Sequence, residues 1–264
     1  MLRKWLETQL YKKAFSRALF GLFGLVIKEI RVAPRQFISW NPLSILRTFW
    51  LIILSVSKLA TGRSLKASYS FTGEDRLIES LLKKSITYNG FYVDVGCNHP
   101  VFLSNTYLFY RRGWRGISID ANADFIKKFK WYRPRDKVAA SLVSNGAEPM
   151  EFMNLTNNVL STVHATYIND FLEQGQEILK KEVMQPRTLS SILNELQCPH
   201  EFDFLSIDVE GHDWNVIRSI DLTKYKPELI VAELNPEPDL VDYLGQYGYG
   251  LKGAVLKNSY FMKS

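Results

Sequence analysis

The chain has 264 residues, a formal net charge of +6, 46% hydrophobic and 23% charged side chains. That is enough length and apolar content for one large domain plus an appendage, and it excludes a disordered or low-complexity chain. Two cysteines, Cys97 and Cys198, exclude a disulfide framework, fit a reducing compartment, and have no partners at metal-ligand spacing.

The charge is unevenly placed. Residues 1–70 hold 12 Lys/Arg against 2 Asp/Glu, whereas residues 71–264 hold 21 against 25. A body-wide basic surface is absent, so no nucleic-acid partner is expected. Within residues 1–70 two apolar stretches, 18–27 and 48–57, are closed off by cations: Arg17 and Lys28, then Arg47 and Lys58. Each is about half the length of a membrane-spanning helix. Pro34 and Pro42 separate them, and Trp5, Trp40 and Trp50 lie close by. This pattern suits helices lying in an anionic membrane surface; the alternative is helices that cover one edge of the following domain. No small-residue cleavage site marks a signal peptide. The expectation is a cytoplasmic chain, peripheral to the inner face of a membrane, with a helical appendage over 1–70 and a globular domain over 71–264.

The domain is predicted to open with a helix capped by Thr72, with Asp75 three residues on and Leu77, Ile78, Leu81 and Leu82 as its apolar stripe. A strand over 91–95 runs into Gly96-Cys97-Asn98-His99-Pro100. A buried, β-branched run that stops at an acid and a glycine hands the chain to a ligand loop at the carboxyl edge of a parallel sheet. A helix over 104–112 ends before Gly113. A second strand over 116–120 ends in Asp120, about twenty-five residues on, the offset at which a nucleotide-binding unit places a ribose carboxylate. There follow a helix over 123–131 closed by Pro134, a strand over 138–143, a short extra strand over 150–155, and a polar segment, 156–182, with a helix from Tyr167. Thr188 caps a helix carrying Leu189, Ile192, Leu193 and Leu196. A strand over 202–208 leads into Val209-Glu210-Gly211-His212, then come a helix over 214–220, a strand over 229–234 and a helix over 240–247. Strands over 249–255 and 258–262 join at Leu256-Lys257. This order predicts an α/β fold: a doubly wound, mostly parallel seven-stranded sheet with a C-terminal antiparallel hairpin. Three strand-to-acid endings put three carboxylates on one sheet edge.

The strings Asp94-Val95-Gly96-Cys97-Asn98-His99-Pro100, Ser104-Asn105-Thr106-Tyr107, Arg112-Gly113-Trp114-Arg115-Gly116, Leu160-Ser161-Thr162 and Lys226-Pro227-Glu228-Leu229-Ile230-Val231 resemble the FkbM family of methyltransferases. The most specific part is Ile207-Asp208-Val209-Glu210-Gly211-His212, and the resemblance spans about residues 72–264. It implies a class I, Rossmann-like methyltransferase fold, S-adenosylmethionine as donor, and transfer to an oxygen, often of a sugar or polyketide-type substrate; taken with residues 1–70, the expected acceptor is a hydroxyl of a glycan or related small-molecule or lipid-linked compound. Asp94 and Gly96 match the cofactor loop, with Asn98 a further cofactor-binding candidate in it, Asp120 matches the ribose acid, and Asp208, Glu210 and His212 the edge where donor and acceptor meet. Family members often carry a second glycine where this chain has Asn98-His99-Pro100; asparagine tolerates a left-handed backbone, so the turn can survive.

Methyl transfer from a sulfonium is an in-line displacement that needs alignment and, for a hydroxyl acceptor, removal of a proton. Asp120 can accept two ribose hydroxyls, or instead cap the helix at Ala123. Asp208, Glu210 and His212 alternate, so an extended backbone would face them one way. His212 or Glu210 is then the base and Asp208 orients cofactor or acceptor; the alternative has Glu210 and Asp213 stabilising a helix start, with His212 a surface residue. The trio could ligate a divalent ion, but no resident metal is expected. Asn105 is a candidate for the cofactor's carboxylate end or a helix cap, and His99 for the substrate or its own turn. Ser161, Thr162 and Glu233 are candidates for the acceptor side. Tyr107, Phe109 and Tyr110 read as core, His164 and His200 as surface. The rivals are a non-catalytic, membrane-recruited binding protein on this fold and a nucleotide-using transferase, the latter disfavoured by the terminal hairpin.

Overall fold

Apolar alternation builds the sheet. The computed structural model describes residues 68–264 apart from 86, 157–160 and 164, so the expectations for residues 1–67, Leu160 and His164 lie outside the described residues. In β1 (Phe91–Val95) Val93 and Val95 join one core cluster while Tyr92 joins another. The first cluster holds Ile117, Ile119, Leu205 and Ile207 against Leu189, Ile192, Val216 and Leu244; the second holds Phe204 and Val231 against Ile78, Tyr107 and Phe109. Helices therefore cover both faces, which is what parallel strands buried on both sides require.

The seven-stranded sheet has the order β3 (Lys137–Ala140), β2 (Arg115–Asp120), β1, β6 (Glu201–Ile207), β7 (Lys226–Ala232), β9 (Asn258–Lys263), β8 (Tyr249–Val255). Pairings are parallel from β3 to β7 and antiparallel from β7 to β8. This is the expected doubly wound sheet with a closing hairpin. Its strands are connected by α1 (Glu74–Leu82, preceding β1), α2 (Tyr107–Arg111), α3 (Ala123–Tyr132), α4 (Ala165–Glu173), α5 (Leu189–Glu195), α6 (Asp213–Ile217) and α7 (Pro238–Gly245). Thr188 caps α5 as expected, its hydroxyl accepting from Ser191 N at 3.2 Å. Tyr107, Phe109 and Tyr110 are buried in the core.

Three local expectations are corrected. Gly73, at φ 106, occupies the cap position of α1; Thr72 instead donates its N–H and hydroxyl to the Glu74 carboxylate. The third strand stops at Ala140, and Val143 forms only an isolated bridge to Arg187. The polar segment conceals β5 (Ile178–Met184), which pairs antiparallel with β4 (Met150–Leu155) in a separate two-stranded sheet. The Lys180-Lys181-Glu182 run in β5 has low strand propensity, and cross-strand contacts such as Lys181 to Glu151 at 3.0 Å hold it instead.

Candidate active site

Strand register aligns the site. Val95 pairs with Ile119 and Ile207, and Ile207 pairs with Ala232. The next residue on each strand therefore falls into one row along the carboxyl rim: Asp120, Gly96, Asp208 and Glu233. Glycine is required within that row. A Cβ on Gly96 would lie 1.8 Å from the Asp208 carbonyl oxygen, and the backbone there has φ 76. The loop after β1 is tied to the end of β2, with Gly96 N and Cys97 N donating to Ile119 O at 2.9 and 3.1 Å. Asn98 takes the left-handed backbone, φ 47, which the missing second glycine would otherwise have supplied.

A cleft of about 560 Å3 opens along this rim. Gly96, Asn98, Asn105, Asp120, Ser161, Asp208, Glu210, His212 and Glu233 all line it; Asp94 and His99 do not. Asp94 points the other way on β1, where its carboxylate accepts from Thr106 Oγ1 at 2.6 Å. Burial raises it to about 6, against the pull of the Arg133 guanidinium. The His99 ring accepts from Val101 N and Phe102 N, each at 3.2 Å, so it secures the loop's own turn rather than facing the cleft. Asn105 donates to Ser206 Oγ at 3.1 Å and does not cap α2. Ser161 Oγ accepts from Leu155 N at 3.2 Å, and Thr162 Oγ1 donates to Glu210 O at 2.9 Å.

Asp120 is not the cap of α3. That is Asn122, whose side chain accepts from Asp124 N at 3.0 Å. Asp120 uses one oxygen for Asn98 N and the other for Asn122 N, both at 2.8 Å, which leaves a second lone pair on each oxygen. Burial still raises it to about 6.

The alternation expected for residues 208–212 is broken. The strand ends at Ile207, and Glu210 and Gly211 take φ 50 and φ 91. This turn separates His212 from the two acids. Its Nε2 lies 3.0 Å from Ser144 Oγ and its Nδ1 3.1 Å from Asn215 Nδ2, and the residue is buried. Glu233 takes its place: Asp208, Glu210 and Glu233 each offer an oxygen within 4.8 Å of the others, a set that could hold a cation. Burial and then the Glu233 charge push Glu210 up to about 7. Burial, Glu233 and Asp213 drive Asp208 well above the usual carboxylate range, although solvent in the open cleft still reaches it. Behind them Asp213 is buried; one oxygen accepts from Glu233 N at 3.2 Å and the other has no hydrogen-bond partner.

Sequence reasoning missed Lys257, which lines the cleft 3.5 Å from Glu233. The signal was there: β9 runs antiparallel to β7, so the turn before it must return to the carboxyl rim. Glu74, at the start of α1, and Phe152 and Phe171 of the β4–β5 unit and α4 also line the cleft and were not singled out.

The sequence matches a family model described as methyltransferase FkbM domain over residues 94–251. No curated protein is similar enough to match. Among solved structures, the chain is similar to a Burkholderia thailandensis 1,6-didemethyltoxoflavin-N1-methyltransferase with bound 1,6-didemethyltoxoflavin and S-adenosylhomocysteine, at 10% identity over 84% of this chain and 88% of that one, TM-score 0.40. A TehB-like SAM-dependent methyltransferase from Corynebacterium glutamicum gives 10% identity over 85% of this chain and 100% of that one, TM-score 0.41. A methyltransferase FkbM from Methylobacillus flagellatus gives 11% identity over 66% and 43%, TM-score 0.39.

Proposed function

We propose a reaction from one premise: the chain belongs to the methyltransferase FkbM domain family. The donor is S-adenosylmethionine, and the acceptor is a hydroxyl of a glycan or a related small-molecule or lipid-linked compound. The observation that carries this reading is the row of Asp120, Gly96, Asp208 and Glu233 on one rim of the sheet, with Glu210 beside it.

When bound, the donor supplies an electrophilic methyl group on a sulfonium. The free lone pairs of Asp120 accept the ribose hydroxyls. Gly96 lets the backbone approach the methionine part closely, and Asn98 and Asn105 hydrogen-bond its polar end. The acids of the cluster favour a cationic sulfonium over its neutral product. Glu210 is the general base: its carboxylate would accept the proton of the acceptor hydroxyl as that oxygen is methylated. A base with a pKa near 7 is both available and basic enough at neutral pH. His212, engaged at both ring nitrogens, is a positioning residue that fixes the turn carrying Glu210.

Calorimetry with S-adenosylmethionine, NAD and a nucleotide sugar tests the donor, and labelled methyl transfer to glycan extracts tests the acceptor. Binding of S-adenosylmethionine alone, with the methyl label on oxygen, is the expected result. Absence of donor binding, or label on carbon or nitrogen, overturns the reading. The charge of residues 1–70 supports a second, separable activity, docking on anionic bilayers.

A further inference from the structure

A second cavity, about 410 Å3, adjoins the donor cleft and shares Glu210, Glu233 and Lys257 with it. An occupant of this side pocket is therefore in reach of the proposed base. Beyond the shared wall the pocket is formed mainly by the half-buried Trp214 and by Asn235, Glu237 and Asp239. The Trp214 ring is held edge-on by Tyr243, with centroids 5.3 Å apart, and Arg218 already lies 6.0 Å over it, so the ring is a surface that cations approach. Among the described residues Lys257 is the lining's one basic residue, and its ammonium lies 3.5 Å from Glu233. Glu237 and Asp239 have no basic counterpart within the lining, whereas Glu210 also feels the Lys257 charge. An anionic acceptor is repelled here. An aromatic face together with carboxylates is the combination that recognises an ammonium group.

We propose that this side pocket seats the acceptor, and that the acceptor carries a protonated amine near the hydroxyl to be methylated. The ammonium lies between the Trp214 ring and the Glu237 and Asp239 carboxylates, and the hydroxyl reaches Glu210. The proposal rests on the methyltransferase reading above. It makes Trp214, Glu237 and Asp239 specificity-determining residues with no part in donor binding.

The test uses full-length protein loaded with S-adenosylhomocysteine, in chelator so that no divalent cation occupies the acids. Glucosamine, glucose and glucuronate are titrated by NMR. The expected order is glucosamine about tenfold or more tighter than glucose, a ratio set by one cation–aromatic or charge-assisted contact, with glucuronate not binding. E237Q/D239N should reduce that ratio to about twofold or less and leave S-adenosylhomocysteine affinity unchanged; Trp214→Ala should weaken glucosamine more than glucose. Glucosamine no tighter than glucose, no binding by any of the three sugars, or a preference that survives in E237Q/D239N overturns the proposal. The last outcome would mean that the two acids serve only the start of α7. Failure to bind S-adenosylhomocysteine would sink the methyltransferase reading itself, whereas donor binding without amine preference sinks this inference alone.

Discussion

At Gly96 one added carbon decides whether the rim can close, because the atom it would strike is backbone and cannot swing aside. Gly96→Ala is expected to weaken S-adenosylmethionine binding by at least about tenfold and to lower Tm, read by calorimetry and thermal melting. For Glu210, kcat/KM should rise with pH through about 7, where the carboxylate forms in the free enzyme, and then level off. In kcat the same rise should lie at lower pH, since bound sulfonium favours the carboxylate. Glu210→Gln should cost about 10²–10⁴-fold in kcat and abolish that limb; a variant that keeps the limb would move the base elsewhere. The single residues of the rim were legible because each follows an apolar run whose pairing register does the aligning. The separation of His212 from Glu210 was not legible, since period-two reasoning holds only while the backbone is extended, and Gly211 follows a left-handed Glu210. Asp94 misleads for the opposite reason: it still lies within β1, so the alternation there sends it to the far face.

That far face is organised by α3 and the loop that follows β1. Arg133, at the end of α3 and fully buried, donates to Asp136 Oδ2 at 2.8 Å, Tyr92 OH at 2.7 Å and Thr106 Oγ1 at 2.9 Å, and Thr106 in turn holds Asp94. One guanidinium thus joins a helix end, the first strand and the segment that leads into α2. Arg133→Met would strand the buried Asp136 carboxylate and is expected to destabilise the fold by about 3–5 kcal/mol, measured by urea unfolding. A loss below about 1 kcal/mol would show the network to be replaceable. The parallel strands and the helices against them could be placed from sequence because continuous apolar runs end at acids or glycine. β5 could not: partly exposed, and paired only with β4, it carries no apolar run to mark it.

Over the molecule as a whole, acids outnumber bases in the domain while the front of the chain is strongly basic. Asp208, Glu210 and Asp213 all have folded pKa values above their unfolded ones. Their stabilising contribution is complete below about pH 4 and is lost as pH rises through the folded values, which for Glu210 and Asp213 lie near 7. Asp208→Asn removes one like charge from the cluster. It should raise the Tm of the unliganded protein by about 2–4 °C at pH 8 and leave it nearly unchanged at pH 5. The basic segment is tested by sedimentation with anionic liposomes: the full chain should pellet and a chain beginning at Ser68 should not, with the difference shrinking in high salt. Equal pelleting would leave residues 1–70 without a membrane role. The mostly parallel sheet and its closing hairpin could be expected from strand–helix alternation, but the sequence does not tell which cavities the hairpin turn will enclose.

The sheet order also sets a timetable for synthesis. β8 leaves the ribosome before β9, yet among the described residues β9 is its sole neighbour in the sheet and lies between it and β7. Until β9 has emerged, β8 is an orphan ribbon and the Lys257 turn has nothing to anchor it over Glu233. A nascent polypeptide can assemble the parallel half early, but it cannot finish the rim that would hold an acceptor. A chain cut off between residues 250 and 257 is therefore expected to bind the donor and to methylate nothing.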